Sequence, residues 1–306
     1  MIYRRSIANE VFGTDDPAEV ASIVGPGWDK FWAAAEQLKE AGYPIVSGDG
    51  DLWHTVWNAS ETGWIVNGKL NIDPAREEFF DIALRLKEGG HSNNAGQWSE
   101  AWFADISKTD KTAPFAYFGP AWLINYVMAG NSRVYQKNAD GENEVDEDGN
   151  EIVLGNGSFG DWAIAVPHVG FSWGGTWVMG NKNTDKKDAV AQLIEWITLD
   201  TSRNGLQWHW ANGTLYPDNP TKDAVASYKI MNESNGSVDF LGGQDMFDIF
   251  VPAGEFTRGD NLSQYDEDIN TMFTNQVAQY VEGHASKEEA LANFKQAVSD
   301  LLGIDV

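Results

Sequence analysis

Tryptophans placed beside turn-forming residues are the feature of this 306-residue sequence with the most definite chemistry. There are fourteen tryptophans, and several follow glycine, proline or asparagine instead of falling on helical stripes. These are Trp53 in SGDGDLW, Trp98 in NNAGQWSE, Trp122 in FGPAW, and Trp173 and Trp177 in FSWGGTW. Because loops carry binding residues more often than core elements do, these indoles are candidates for a ligand site.

An indole presents a flat, rigid, apolar surface that loses little side-chain entropy when held in place. The C–H faces of a pyranose ring match that surface, and the ring hydroxyls need hydrogen-bonding groups around it. Gly174 and Gly243 would let the backbone approach such a ligand closely. The short polar candidates near these aromatic and glycine segments are Asp49, Asp51, Gln97, Glu100, Gln244 and Asp245. The pattern predicts a neutral carbohydrate site, in which one of Trp173 and Trp177 faces the ligand; we favour Trp173.

Charge and composition exclude several other kinds of site. The formal net charge is −25, which disfavours nucleic acid and anionic lipid because both are bound through lysine and arginine. The absence of cysteine excludes disulfides, thiolate metal sites and a cysteine nucleophile. The five histidines are scattered, and no two have the i, i+4 spacing of a helical zinc site. We expect neither a metal nor a cofactor.

The elements that must position these residues alternate between helix and strand. Apolar periodicity and end signals predict helices over 28–42, 73–90, 185–200 and 286–303, the last opening with a capping box. Short buried strands are predicted in PFAYFG and DWAIAVPHVG, and a strand running into a Gly/Asp loop is predicted in YPIVSGDGDLW. Alternating helices and strands indicate an α/β fold. Trp28, Trp32 and Trp196 lie on apolar helix faces and are predicted to be core.

Residues 136–155, QKNADGENEVDEDGNEIVLG, are rich in carboxylates and twice contain Asp-Gly. This pattern predicts a surface hairpin. A calcium loop is the alternative, but the EF-hand register that starts at Glu144 places Gly155 where a bidentate glutamate belongs. The hairpin is therefore the favoured interpretation.

Taken in order, several segments resemble the carbohydrate-binding proteins of bacterial ABC importers (extracellular solute-binding protein family 1, the maltose-binding-protein class). MIYRRSIANEVFG is similar to the family's lobe-crossing strand, and FGPAWLINYVMAG to its Gly-Pro-x-Trp turn and helix. The segment from DWAIAVPHVG through FSWGGTW to DKKDAVAQLIEWIT resembles its return crossing. The WDKFWAAAEQLKEAGY helix and the last helix also fall in the expected places.

The resemblance implies a type II periplasmic-binding-protein-like fold of two α/β lobes that close on a sugar held between them. It implies a monomeric, non-enzymatic protein outside the cytoplasm that passes a neutral oligosaccharide to ABC permease subunits. By position it places Asp51 and Trp53 on a cleft loop, Trp122 at a sugar-stacking turn, and Trp173 and Gly174 on the return crossing. Gly243, Gln244 and Asp245 match a second hinge-side segment.

The resemblance begins only at the first crossing strand, whereas family members start with a signal peptide, usually ending in a lipidated cysteine, and then further βα units. We therefore expect a fragment, an incomplete gene model or a shortened product. Residues 1–174 and 240–306 would form a complete C-terminal lobe, and 175–239 the helical remainder of the N-terminal lobe. The apolar face containing Leu193, Ile194 and Trp196 would then lack its sheet.

Two other functions are compatible with the same residues. Paired carboxylates near aromatics, such as Asp49 and Asp51 with Glu100, could serve a glycoside hydrolase. A carbohydrate-binding module or adhesin without a transport role would also need aromatic surfaces. We predict no catalytic residue, since 46 acidic residues make chance proximity common.

Overall fold

The structure, a computed structural model, describes residues 1–57, 60–216, 220–256 and 261–306. Its helices are α1 (Arg5–Phe12), α2 (Pro17–Val24), α3 (Trp28–Glu40), α4 (Gly50–Trp57), α5 (Pro74–Gly89), α6 (Glu100–Ser107), α7 (Ala121–Leu123), α8 (Ala129–Asn131), α9 (Lys187–Thr198), α10 (Leu206–Asn212), α11 (Tyr228–Glu233), α12 (Phe247–Ala253), α13 (Asp266–Val281) and α14 (Lys287–Leu302). A π-helical turn, Ile124–Met128, joins α7 to α8. The strands are β1 (Ile2–Arg4), β2 (Ile65–Val66), β3 (Lys69–Leu70), β4 (Ala116–Tyr117), β5 (Val134–Tyr135), β6 (Val153–Gly155) and β7 (Trp162–Ile164).

A three-stranded antiparallel sheet in the order β4–β1–β7 separates two hydrophobic cores. Successive side chains on a strand point to opposite faces. On β1, Tyr3 therefore enters the first core and Ile2 the second. On β7, Ala163 enters the first core and Trp162 the second. The sheet is buried on both faces, and its strands are apolar except at Arg4, whose guanidinium pairs with the Asp161 carboxylate at 2.9 Å.

The first core is centred on Phe273 of α13. Its ring contacts four others at centroid distances of 5.2 to 5.3 Å, those of Trp53, Trp64, Phe80 and Phe294. The Trp53 ring also lies 4.8 Å from that of Phe79. Helices α5, α13 and α14 thereby pack together around aromatic side chains. Burying rings of this size supplies much of the hydrophobic stabilisation of a domain.

The second core lies on the opposite face of the sheet and carries the candidate site. Tyr117 contacts the rings of Trp102 and Trp162 at 5.3 and 5.8 Å, and Trp162 stacks on Phe240 at 5.8 Å. Ala211, Ile230 and Met231 also belong to this core. Helices α10 and α11 lie within 175–239, so this part of the chain packs against residues that precede it and residues that follow it.

The predicted helices are confirmed, and their ends are fixed by the expected side chains. Asp73 precedes α5 and accepts a hydrogen bond from the Ala75 backbone N–H at 3.0 Å. Ser286 and Glu289 form a reciprocal capping box at the start of α14. The strands predicted in PFAYFG and DWAIAVPHVG are β4 and β7.

The hairpin predicted over 136–155 is confirmed by the antiparallel pairing of β5 and β6. The Asp146 carboxylate accepts backbone N–H groups of Asp148 and Asn150, both at 2.9 Å, and so turns the chain. Across the residues that the structure describes, no three histidine, aspartate or glutamate side chains are grouped to hold a metal ion.

The segment YPIVSGDGDLW differs from its prediction of a strand running into a loop. Pro44 has no N–H to give to a ladder, and the expected strand is reduced to a single bridge, between Val46 and Ser92. The Gly/Asp run then opens α4 at Gly50. Leu52, Trp53 and Val56 fall on the core side of this helix, a helical spacing that the loop interpretation missed.

Helix α9 has no buried residue, although one of its faces is apolar. Leu193 is 53% exposed and Trp196 38% exposed, and the Trp196 indole donates to the Asn204 carbonyl at 2.7 Å. The prediction that Trp196 is core was therefore wrong, whereas Trp32 is buried and Trp28 packs on the first core. No helix of the described residues is long and apolar enough to cross a membrane.

Trp53→Ala should lower the free energy of unfolding by about 3–5 kcal/mol, because the substitution leaves a cavity beside Phe79 and Phe273. Trp196→Ala is the matched control and should cost less than about 1 kcal/mol, because that indole is partly solvated. Urea unfolding followed by circular dichroism measures both. Equal losses would contradict this assignment of core and surface.

A second prediction concerns acid stability and His168. Its ring lies 4.3 Å from Trp28 and 4.5 Å from Phe31, and neither ring nitrogen has a hydrogen-bond partner within the described ranges. Burial lowers the pKa of His168 to about 3. Because the unfolded pKa is about 6.5, the unfolded chain binds this proton first, and stability falls as the pH drops below 6.5.

Between pH 7.5 and pH 5, His168→Phe should therefore lose about 2 kcal/mol less of its free energy of unfolding than the parent does. Denaturant unfolding at both pH values gives the difference. His284→Phe, which replaces a histidine whose side chain is 62% exposed, is the matched surface control for the substitution itself. An unchanged slope in His168→Phe would show that this imidazole is solvated.

Candidate ligand-binding site

Three tryptophans from separate segments meet to form what we call the tryptophan corner, defined as Trp98, Trp122 and Trp173. The Trp98 and Trp122 rings are nearly parallel, at 9° with centroids 6.1 Å apart. Trp173 stands across both, at 67° and 6.1 Å from Trp98 and at 69° and 5.0 Å from Trp122. The two nearly parallel rings form one side of an apolar corner, and the Trp173 ring, steeply inclined to both, forms its wall.

The Trp98 backbone lies in the left-handed region, with φ +69°. This conformation is uncommon for a bulky residue and is maintained only when surrounding structure requires it. Ser99 caps α6 immediately afterwards, and the Trp98 ring packs on Trp102 at 5.4 Å. The side chain nevertheless remains 44% exposed. The fold therefore holds a large indole at the surface in a strained backbone.

Trp122 is placed by the turn that leads into α7. Pro120 immediately precedes this helix, and Trp122 is its second residue. Tyr126, in the π-helical turn, is 82% exposed and meets the Trp122 ring edge at 6.4 Å and 72°. The i, i+4 spacing of these aromatics would have identified Tyr126 as a neighbour of the site from the sequence.

Trp173 is placed by the two glycines that follow it. Gly174 and Gly175 have φ of +82° and +129°, which side chains with a Cβ rarely adopt. A Cβ at Gly174 would also lie 3.3 Å from the Trp122 Nε1 atom. The glycines thus let the backbone bend and bring Trp173 against Trp122. Trp177 is 86% exposed and lies beyond the bend, outside the corner.

His54, on α4, forms the back of the wall and was not predicted as a site residue. Its imidazole stacks on Trp173 with centroids 3.7 Å apart and an angle of 17°. The Trp57 indole, one helical turn later, donates to His54 Nδ1 at 3.2 Å. Burial lowers the pKa of His54 to about 3, so the ring is neutral at physiological pH. No sequence pattern separates this histidine from the other four.

Asp51 is buried and supports the site from inside the protein. One carboxylate oxygen accepts the Trp102 indole N–H at 2.8 Å, and the other accepts the backbone N–H groups of Ser47 and Gly48, both at 3.1 Å. Burial raises the pKa of Asp51 to about 7, against the effect of these three donors. The structure therefore makes Asp51 a positioning residue instead of the ligand contact that we predicted.

Asp49 and Gln97 lie beside the corner, at the junction of α4 and the Trp98 loop. A Cβ at Gly50 would lie 2.9 Å from the Gln97 Cβ, so the two segments touch. The Gln97 Nε2 atom is buried and has no hydrogen-bond partner in the described part of the chain. Burial raises the pKa of Asp49. Gln97 can therefore supply a polar group next to Trp98, and Asp49 one at the start of α4.

The other predicted site residues lie elsewhere. Trp53 is 7% exposed in the first core, so we withdraw it as a ligand contact. Gln244 hydrogen-bonds both backbone groups of Ile164, at 2.8 and 2.9 Å, and so extends the sheet edge. Asp245 accepts the Gly236 and Phe247 backbone N–H groups, and Gly243 has φ +88° in the same turn. These three residues shape a loop, and no hydrogen bond or ring contact among the described residues joins them to the corner.

The structure gives no support to the paired-carboxylate alternative. Asp51 accepts three hydrogen bonds inside the protein, whereas Glu100 is exposed in the first turn of α6. A hydrolase needs two carboxyl groups flanking one bond. The arrangement of these residues is instead suited to stacking on a ligand and to hydrogen bonding around it.

No family model matches the sequence, and no curated protein matches it. Solved structures do match. An extracellular solute-binding protein family 1 structure aligns with TM-score 0.66 and 18% identity, over 96% of this chain and 68% of that chain.

Two further matches are binding proteins and not enzymes. An ABC transporter associated binding protein from B. animalis subsp. lactis Bl-04, in complex with β-1,6-galactobiose, gives TM-score 0.61 and 17% identity over 98% of this chain and 70% of that one. The galacto-N-biose-/lacto-N-biose I-binding protein from Bifidobacterium longum was solved in complex with lacto-N-biose. It aligns with TM-score 0.63 and 16% identity, over 100% of this chain and 69% of that chain. The chain therefore has the fold of the extracellular solute-binding proteins, of which it spans somewhat more than two thirds.

Proposed function

We propose that this protein binds a neutral oligosaccharide on the tryptophan corner and delivers it to an ABC permease. The observation that carries the proposal is the meeting of Trp98, Trp122 and Trp173, drawn from three separate segments, at the protein surface. Aromatic surfaces of this kind match the C–H faces of sugar rings. Structural neighbours that were solved with galactobiose and lacto-N-biose support the same ligand class.

The charge of the protein is consistent with an uncharged ligand. With 46 acidic and 21 basic residues, the surface would repel a polyanionic glycan. Around the corner, the groups that can hydrogen-bond are the Gln97 amide, the Asp49 carboxyl and the His54 imidazole. These are sufficient to orient hydroxyls around a stacked ring without a metal or a catalytic pair.

The mode of action that we propose follows the transport class of the fold. The protein acts as a monomer outside the cytoplasm, and it releases its ligand to permease subunits. Residues 1–174 and 240–306 would form one lobe and 175–239 a part of the other. The glycine pair 174–175 would permit the lobes to close on the ligand.

Trp122→Ala and Trp173→Ala should each weaken oligosaccharide binding by about 1–3 kcal/mol, because each removes one stacking surface. Isothermal titration calorimetry against a panel of neutral oligosaccharides, including β-1,6-galactobiose and lacto-N-biose, measures the loss. The control is Trp177→Ala, which removes an equally large but solvent-exposed indole outside the corner and should bind as the parent does.

Two results would oppose the proposal. If Trp122→Ala and Trp173→Ala bind with the affinity of the parent, the corner is not the site. If the parent releases shorter sugars from the panel during prolonged incubation, the protein is a hydrolase. Chromatography of the incubated sugars detects the second result.

A further inference from the structure

We propose that His54 is a ligand-binding residue that donates a hydrogen bond from Nε2 to an acceptor oxygen of the sugar stacked against the tryptophan corner. The inference rests on the proposed function, which it deepens by assigning the donor that selects among neutral sugars. It uses three observations: the stack of His54 on Trp173, the hydrogen bond from Trp57, and the free edge of the imidazole.

The first step concerns the tautomer of His54. An indole N–H can only donate, so His54 Nδ1, which lies 3.2 Å from Trp57 Nε1, must accept. A neutral imidazole with an accepting Nδ1 carries its proton on Nε2. Trp57 and His54 are three residues apart on α4, where i and i+3 side chains are neighbours, so the helix itself fixes the pair.

The second step concerns the position of the donor. The imidazole lies parallel to Trp173 at 3.7 Å, and Trp173 stands at 67° and 69° to the other two rings. The imidazole therefore lies directly against the ring that forms the wall of the corner. Within the described residues Nε2 has no hydrogen-bond partner, and the side chain is partly exposed.

The third step concerns the charge state. Burial against Trp173 and α4 lowers the pKa of His54 to about 3, so the imidazole stays neutral at physiological pH. A neutral donor with a fixed tautomer pairs only with an acceptor. It therefore favours a sugar with a hydroxyl, ring or carbonyl oxygen at that place, and it disfavours an analogue in which that oxygen is missing.

The test compares His54→Phe with the parent protein by calorimetry on the tightest-binding neutral disaccharide of the panel. Phenylalanine preserves an aromatic ring against Trp173 but has no donor. We expect the affinity to fall about 3- to 10-fold, the effect of losing one neutral hydrogen bond. The matched control is His284→Phe, an exposed histidine on the turn between α13 and α14, which should not change the affinity.

Singly deoxygenated analogues of the same disaccharide identify the contact. In the parent, one analogue should bind several-fold more weakly than the natural sugar, and His54→Phe should bind the two alike. Nitrogen-15 NMR of the imidazole tests the tautomer without any ligand. The parent should show a proton on Nε2, and Trp57→Phe should show a mixture of tautomers.

The outcomes separate this inference from the proposed function. If no neutral sugar binds the parent, or if Trp122→Ala binds as the parent does, the proposed function fails and this inference fails with it. If Trp122→Ala weakens binding but His54→Phe does not, only the inference fails. A proton on Nδ1 in the parent would also overturn it.

Discussion

The buried hydrogen bond from the Trp102 indole to the Asp51 carboxylate is the interaction on which the geometry of the site depends. It joins the start of α4 to α6, two helices that α5 separates in the chain. The same carboxylate holds the Ser47 and Gly48 backbone. A neighbouring pair, Ser47 and Asp105, adds a hydrogen bond at 2.6 Å between the same two segments.

This junction determines where the aromatic surfaces stand. Trp102 is the residue against which Trp98 packs, and α4 carries the His54 that backs Trp173. A carboxylate placed in the interior is unfavourable unless its oxygens accept hydrogen bonds. Asp51 meets that condition with three donors, so the polar group stabilises one arrangement of two helices. A ligand contact at Asp51 would require breaking this arrangement.

Much of the fold could be predicted from the sequence, because capping residues mark where its helices begin. Asp73 and Pro74 begin α5, and the Ser286–Glu289 capping box begins α14. The apolar face of α9 was also visible. Local signals of this kind depend on residues a few positions apart and need no tertiary information.

The site could be predicted only in part. Glycine next to tryptophan identified Trp98, Trp122 and Trp173, which the structure brings together. The same reasoning failed for Trp53, because a Gly/Asp run that looks like a loop opens a helix and directs this ring into the core. It also missed His54, whose role depends on Trp173, more than a hundred positions away in the sequence. Contacts over such distances leave no local pattern.

The left-handed backbone of Trp98 places an unusual limit on engineering this protein. Glycine at position 98 would relax the backbone, by about 1 kcal/mol on the scale of such exchanges, but it would delete a 44% exposed indole. Selection for thermal tolerance and selection for ligand affinity would therefore pull this position in opposite directions.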